Sequence, residues 1–350
     1  MKKVSPAIVV ALIVLVFAGA ILARVAIVSR LSGMPDAAND TLADAYANSE
    51  HPIVMWSVTS SPDEDAKGYA YSLATKQTTG PVEGFEGPGV VRFNQSTNLC
   101  DHDYQNVPFN IECNYNSVAN VLVLTVYGMI GEEKWMQAYT IDLKDLGVFP
   151  SAAEGYLTPV AVADDKSAIY LGRRVETESY VAGLWRLDVP SGVINEISYV
   201  RDSNVYQYEI NPATKTLVGV TFTPPEGLGE SPTGPSKIVL IDLETGADQD
   251  LDERTKRVFE NVLLSDDGKF YSVQVYLLPD DRRSVPETAV TNVATGERIA
   301  EFDGVVRDWF GDTMVVDRDG NLYLYDLATD VETQLTHETD VTVEYLGVIK

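Results

Sequence analysis

Cysteine and histidine are scarce in this sequence of 350 residues, which holds two Cys and three His. So few side chains of these kinds argue against a zinc site made of spaced ligand pairs and against a histidine general base. The sequence also lacks a Gly-x-Ser-x-Gly elbow, a phosphate-cradling Gly-rich loop and a His-Glu-x-x-His motif. It therefore predicts no catalytic residue, no metal and no cofactor, and binding is favoured over catalysis.

Basic residues are also few, because 26 Lys and Arg stand against 52 Asp and Glu and give a formal net charge of −26. With Lys2, Lys3, Arg24 and Arg30 set aside, 22 basic residues remain against the same 52 acidic ones, which is a charge of −30 after the first thirty residues. Nucleic-acid phosphates and anionic lipid surfaces require clustered Lys and Arg. The charge argues against both partners and suits solubility, cations or basic protein partners.

The long apolar run of the chain lies near its N-terminus. No charged residue occurs from Pro6 to Ala23, and a helix of that length covers roughly 27 Å, close to the hydrocarbon core of a bilayer. Residues 1–30 are therefore predicted to be a retained transmembrane anchor. Ala18-Gly19-Ala20 has the small-x-small form of a cleavage site, so a cleaved signal peptide is the alternative. Residues 31–50, rich in Ala, Asn, Asp and Ser, are predicted to be a linker.

The two cysteines, Cys100 and Cys113, stand close together in a polar stretch. In a chain with an export signal such a pair predicts a disulfide that closes a short loop. His102 lies between them and leaves a metal site as the alternative, although zinc requires four ligands. We expect this loop to be the largest insertion of the domain and to protrude from it. A disulfide also favours an oxidising, extracytoplasmic compartment.

From Pro52 onward, short alternating runs rich in Val, Ile, Tyr and Thr are separated by Gly, Pro, Asn and Asp, which is typical of many short strands. Val193 to Val200, for example, is predicted to be an outer strand. One phrase recurs six times: an alternating strand, then Asp-Leu or a variant, then a turn ending in Thr or Ser, often with Gly. We expect its polar residue to accept backbone N–H groups in that turn. The aligned residues are Ser72, Asp142, Asp188, Asp242, Asn292 and Asp326.

Two details of these units resemble a known family. A Ser-x-Asp-Gly-Lys turn between the first two strands occurs at Ser265 to Lys269, and an aromatic-x-Leu-Asp-x-x-Thr-Gly phrase lies close to the third strand. Both resemble the repeats of TolB-like, WD-repeat-related β-propellers. The resemblance covers residues 52–350, with its best-matching unit from Val258 to Gly296, and it implies a fold rather than a function.

The predicted fold is therefore all-β: one domain, residues 51–350, forming a six-bladed β-propeller of four-stranded blades. The first unit begins at His51 to Thr59 without an innermost strand, whereas Val341 to Ile349 has no blade of its own. We expect this final strand to complete the first blade and close the ring. Asp317 to Asn321 superficially suggests a calcium loop, but the further ligands are missing and an Asp-Gly hairpin turn is favoured.

In a propeller, the first strand of each blade lines the central channel, so the residues that open these strands converge at one mouth. Mixed charges, amides and aromatic rings at converging positions are what a ligand pocket needs. The predicted binding residues are Arg92, Tyr206, Gln207, Glu260, Asn261, Arg307, Asp308, Trp309 and Glu344.

The sequence thus predicts a single-pass, membrane-anchored β-propeller on the extracytoplasmic side, at the cell surface or in the periplasm. It would act as a binding or scaffolding module for an envelope or cell-surface protein, with a small molecule as the other conceivable ligand. The alternative is a hydrolase or lactonase-like propeller enzyme with a metal or carboxylate site at the mouth. Its candidate residues are Glu260, Asn261 and Asp308.

Overall fold

A computed structural model describes thirteen stretches of the chain. They are residues 52–60, 65–83, 98–100, 110–116, 118–130, 133–146, 156–174, 183–202, 205–222, 236–254, 257–277, 287–339 and 341–349. The predicted anchor (1–30), the predicted linker (31–50) and Arg92 lie outside them. Within these thirteen stretches no helix is long and apolar enough to cross a membrane.

The described strands form six antiparallel sheets, five with four strands and one with three. The first sheet contains β1 (Ile53–Thr59), β2 (Lys67–Ser72), β3 (Gln77–Glu83) and β23 (Thr342–Ile349), and the second contains β4 (Asn110–Asn116), β5 (Val121–Ile130) and β6 (Glu133–Asp142). The third contains β7 (Tyr156–Val162), β8 (Ala168–Arg174), β9 (Leu184–Asp188) and β10 (Ile194–Glu196), followed by helix α1 (Ser198–Asp202). The fourth contains β11 (Val205–Asn211), β12 (Thr216–Phe222), β13 (Ser236–Asp242) and β14 (Asp248–Arg254). The fifth contains β15 (Arg257–Leu264), β16 (Phe270–Leu277), β17 (Glu287–Asn292) and β18 (Arg298–Asp303), and the sixth contains β19 (Val305–Phe310), β20 (Thr313–Arg318), β21 (Asn321–Asp326) and β22 (Val331–Gln334).

The last strand of the chain completes the first sheet. β23 pairs antiparallel with β1, from Thr342 opposite Thr59 to Ile349 opposite Ile53. The order of the sheet is β23-β1-β2-β3, so the C-terminal strand occupies the place of the first strand. The predicted pairing of the two ends of the domain is confirmed.

The apolar core is divided into clusters that each lie between two consecutive sheets. One cluster joins the second sheet to the third, for example through Leu124 and Leu171, and others join the third to the fourth, the fourth to the fifth and the fifth to the sixth. A further cluster joins the sixth sheet to the first, where Val315 and Leu322 pack with Val54 and Val348. This order of face-to-face packing, from the second sheet through to the sixth and on to the first, together with the β1–β23 pair, is consistent with a six-bladed β-propeller.

The polar residue of the repeated phrase caps the turn that follows the third strand. The Asp242 carboxylate accepts the backbone N–H groups of Glu244 and Thr245 at 2.9 and 2.8 Å, and the Thr245 bond is the main cause of the lowered Asp242 pKa. Comparable side-chain acceptors occur at Ser72, Asp142, Asp188, Asn292 and Asp326. The prediction of a structural role for these six residues is confirmed.

The segment that superficially suggested a calcium loop is a hairpin turn. β20 ends at Arg318 and β21 begins at Asn321, with Asp319 and Gly320 between them. Their φ angles are 51° and 72°, and positive φ at both central residues is the requirement of a type I′ turn. Asp-Gly satisfies that requirement at low steric cost, which confirms the prediction of a hairpin here.

The predicted outer strand from Val193 to Val200 is wrong in its second half. β10 ends at Glu196, and α1 begins at Ser198. Ile197 and Val200 are both buried, at 5 % and 0 % exposure. Apolar residues three apart share one face of a helix, whereas they lie on opposite faces of a strand. Burying both against the same core therefore favours a helical turn.

The prediction of a disulfide between Cys100 and Cys113 is confirmed, with the two Cα atoms 5.3 Å apart. The prediction that both cysteines sit in one polar loop is wrong for Cys113, and the predicted protrusion falls on residues 101–109, which lie outside the described stretches. Cys113 lies within β4, and Leu99, next to Cys100, is only 1 % exposed. The buried Leu99 side chain holds this stretch against the domain.

Candidate functional site

The first strands of four consecutive sheets lie side by side in the order β11, β15, β19 and β23. We call them the inner-strand row. Each has a β-bulge, an extra residue that disturbs its pairing with the next strand; these residues are Tyr206, Asn261 or Val262, Arg307 and Leu346. Bulges re-aim side chains and occur often beside functional sites. All the predicted binding residues that are described lie within two residues of one of these bulges.

The first two strands of the row are joined by side chains of β11. The backbone N–H of Asn261 donates to Oε1 of Gln207 at 2.9 Å, and the N–H of Leu264 donates to Oε2 of Glu209 at 2.8 Å. Asn261 has φ = 49°, in the left-handed region that Asn tolerates better than most residues. Its side-chain amide donates to Gln274 of β16. The bulge of β15 is thus fixed by polar bonds from two strands.

The last two strands of the row are joined by Asp308. One carboxylate oxygen accepts the N–H of Trp309 at 2.7 Å, and the other accepts the Tyr345 hydroxyl of β23 at 2.5 Å. Asp308 is only 4 % exposed. A buried carboxylate is stable only when its oxygens are hydrogen-bonded. This bond therefore ties the closing strand to the sixth sheet.

The exposed groups of the row carry both signs of charge. The Arg307 guanidinium binds Oδ2 of Asp317 on β20, with distances of 3.1 Å from Nε and 2.6 Å from Nη2. Arg307 remains 46 % exposed at its side chain. Glu344 on β23 is exposed and Glu260 on β15 is half-buried. The row therefore exposes a guanidinium that the Asp317 carboxylate holds in one orientation.

The remaining predicted residues have different placements. Trp309 is fully buried, donates its indole N–H to Ser272 at 3.2 Å and stacks on Phe270 at 6.3 Å between ring centroids. It supports the row from within the core. Tyr206 lies at the bulge of β11, and only its backbone is described; Arg92 is outside the described residues.

Glu112 on β4 occupies a position equivalent to Gln207, and sequence reasoning missed it. Asn116 and Asn211 end their strands in the same way, each accepting N–H groups two and three residues ahead. Glu112 and Gln207 each precede that Asn by four residues. Glu112 accepts the Tyr127 hydroxyl at 2.8 Å, and this hydrogen bond is the main cause of the raised Tyr127 pKa. Glu112 could have been found in the sequence by counting four residues back from the Asn that caps the end of the strand.

The described residues contain no group of three or more His, Cys, Asp or Glu side chains arranged to hold an ion.

No protein-family model matches this chain, and no curated protein matches it. Among solved structures it is similar to a putative 6-phosphogluconolactonase from Bacteroides fragilis, with 11 % identity, a TM-score of 0.36 and coverage of 87 % of this chain and 98 % of that one. It is also similar to TolB from Acinetobacter baumannii, with 14 % identity, a TM-score of 0.35 and coverage of 86 % and 72 %. A third is the β-propeller domain of the Trilobed protease from Pyrococcus furiosus, with 14 % identity, a TM-score of 0.37 and coverage of 54 % and 59 %. At such low identity the likeness is confined to the fold, and no residue role is transferred from these proteins.

Proposed function

We propose that this chain is a binding or scaffolding module: a six-bladed β-propeller, closed by its C-terminal strand and held on the extracytoplasmic side of a membrane by residues 1–30. The inner-strand row would form its contact surface, and its partner would be an envelope or cell-surface protein. The observation that carries the proposal is a pair of hydrogen bonds between strands of the row, donated by the Asn261 N–H to Gln207 and by the Tyr345 hydroxyl to Asp308.

These bonds favour binding because they fix the surface before a partner arrives. A surface that is already ordered loses less conformational entropy on association, and more of the contact energy then appears as affinity. The charged groups Arg307 and Glu344 supply orientation and specificity. The net charge of −26 favours a partner that presents basic residues.

The disulfide supports the proposed location. Disulfides persist in oxidising compartments and are rare in the cytosol. Cys100 and Cys113 are paired. The apolar run from Pro6 to Ala23 would provide the anchor.

The enzymatic alternative has less support from the candidate residues. Asp308 uses both carboxylate oxygens, on the Trp309 N–H and the Tyr345 hydroxyl. The Asn261 amide donates to Gln274. Groups engaged in this way hold the strands in place, and a role in hydrolysis would require them to exchange these partners for a substrate.

Site-specific photo-cross-linking in native membranes tests the proposal. A benzophenone side chain placed at Glu344 is expected to form an adduct with a defined protein, whereas the same probe at Met136, exposed on β6, is expected to form none. Charge reversal by Arg307→Glu should reduce the Glu344 adduct by about tenfold, equivalent to ~1.4 kcal/mol. The measurement is the yield of the cross-linked band, identified by mass spectrometry.

Arg298→Glu is the matched control, because Arg298 also pairs with an acid, Glu301, but lies on the outer strand β18. It should leave the Glu344 adduct unchanged. Equal adducts at Glu344 and Met136, or equal losses from the two Arg variants, would overturn the assignment of the row as the contact surface.

A further inference from the structure

The short stretch Asn98–Cys100, which we call the latch segment, connects the second and third sheets. The Leu99 side chain is 1 % exposed and packs in the cluster that contains Leu124 of β5 and Leu171 of β8. The Leu99 backbone N–H donates to the carbonyl oxygen of Pro159 on β7 at 2.9 Å. One residue thus contacts both sheets, through its side chain and its backbone.

Beside Leu99, the latch segment is attached to β4. Cys100 forms a parallel bridge with Ile111, and its side chain is bonded to Cys113 on the same strand. The covalent tie is much stronger than the single bridge and the single hydrogen bond. The segment is thus held by the disulfide together with the burial of the Leu99 side chain.

The strands of the second sheet have their own pairing, which does not involve the disulfide. β4 pairs with β5 from Asn110 opposite Tyr127 to Asn116 opposite Val121, and β5 pairs with β6 over its whole length. Breaking the S–S bond leaves these ladders in place. Both cysteines are half-buried rather than enclosed, and accessible disulfides are the ones that thiols reach.

We propose that Cys100–Cys113 is a thiol-sensitive latch between the second and third sheets. A thiolate of a dithiol reductant attacks one cysteine sulfur and displaces the other as a thiolate; the second thiol of the reductant then resolves the mixed disulfide. The reductant becomes a disulfide, and Cys100 and Cys113 each end as a protonated thiol, so two electrons and two protons are transferred. The Leu99 side chain then leaves its packing position between the second and third sheets, and the Pro159 carbonyl at the bulge of β7 loses the hydrogen bond from the Leu99 N–H.

Hydrogen exchange on the full chain in mild detergent tests this proposal, with dithiothreitol as the dithiol. Reduction is expected to accelerate exchange of the Leu99 amide at least tenfold, while peptides from β19 to β21 in the sixth sheet, which shares no cluster with Leu99, keep their rates. Removal of the reductant and reoxidation should restore protection. The double variant Cys100→Ser/Cys113→Ser should exchange rapidly at Leu99 with or without dithiothreitol.

Two results would overturn the latch. Unchanged protection of Leu99 in the reduced protein would mean that the disulfide does not hold the segment. Loss of protection throughout the domain would mean that it holds the whole fold rather than one connection. Because the wild-type chain is tested by reversible reduction, the outcome does not depend on whether the Ser variants fold.

Discussion

A chain that ends at Thr339, and so lacks β23, is expected to lose its cooperative unfolding transition. β1 is buried along almost its whole length, with Ile53 to Val58 each 8 % exposed or less. Removing β23 opens the hydrogen-bonding edge of β1 and uncovers the cluster that contains Val348. The free energy of unfolding is expected to fall by ~5 kcal/mol or more, which is comparable to the whole stability of many domains. Urea unfolding followed by far-ultraviolet circular dichroism measures it.

Two controls separate ring closure from a general effect of changing the C-terminus. Glu344→Gln keeps the strand and alters only an exposed side chain, so its free energy of unfolding should change by less than ~0.5 kcal/mol. A synthetic peptide of residues 341–350, added to the truncated chain, should restore a cooperative transition in a concentration-dependent way. A truncated chain that unfolds cooperatively within ~1 kcal/mol of the full chain would contradict the closure.

The substitution Trp309→Ala is expected to lower the free energy of unfolding by roughly 3–5 kcal/mol, as is usual for a large aromatic side chain removed from a core. Trp309 is fully buried among residues of the fifth and sixth sheets. Its loss leaves a cavity, ends the stacking with Phe270 and frees the Ser272 hydroxyl. Chemical denaturation of the full chain measures the change.

Met136→Ala is the comparison for Trp309→Ala, because Met136 is 66 % exposed on β6. A surface truncation of this kind should change stability by less than ~0.5 kcal/mol. If Trp309→Ala were equally mild, Trp309 would not be a core residue. It would then be available to a ligand, as the sequence alone had indicated.

The closing strand was predictable from a count of the strands in each repeated unit. The capped turns were predictable from the local sequence of the repeated phrase. The predicted strand from Val341 to Ile349 belonged to no four-stranded unit, and the unit that begins at His51 to Thr59 lacked its innermost strand. Asp242 and Asn292 stand in short phrases whose turn chemistry depends on neighbouring residues only. Such features need no knowledge of the tertiary structure.

The bonds across the inner-strand row were not predictable, because bulges break the alternation on which sequence reasoning depends. Strict alternation places Arg307 and Trp309 on the same face of β19. The extra residue at Arg307 shifts the register, so that Arg307 is exposed while Trp309 turns into the core. Glu209 and Tyr345 were missed for a related reason: their partners lie on other sheets, and no local spacing reveals them.

The burial of the latch segment was not predicted, because a single apolar residue among polar ones gives no hydrophobic periodicity. Asn98, Leu99 and Cys100 resemble a surface loop in sequence. The burial of Leu99 depends on the gap between two sheets that only the assembled domain creates.

The central claim is that hydrogen bonds join neighbouring first strands at two junctions of the row, β11 with β15 and β19 with the closing strand β23. A double-mutant cycle on Asp308→Ala and Tyr345→Phe tests it most directly, with the free energy of unfolding as the readout. A buried bond from the Tyr345 hydroxyl to the Asp308 carboxylate predicts a coupling energy of about 1.5–3 kcal/mol. Effects that add to within ~0.3 kcal/mol would show that the two side chains do not interact and would contradict the claim.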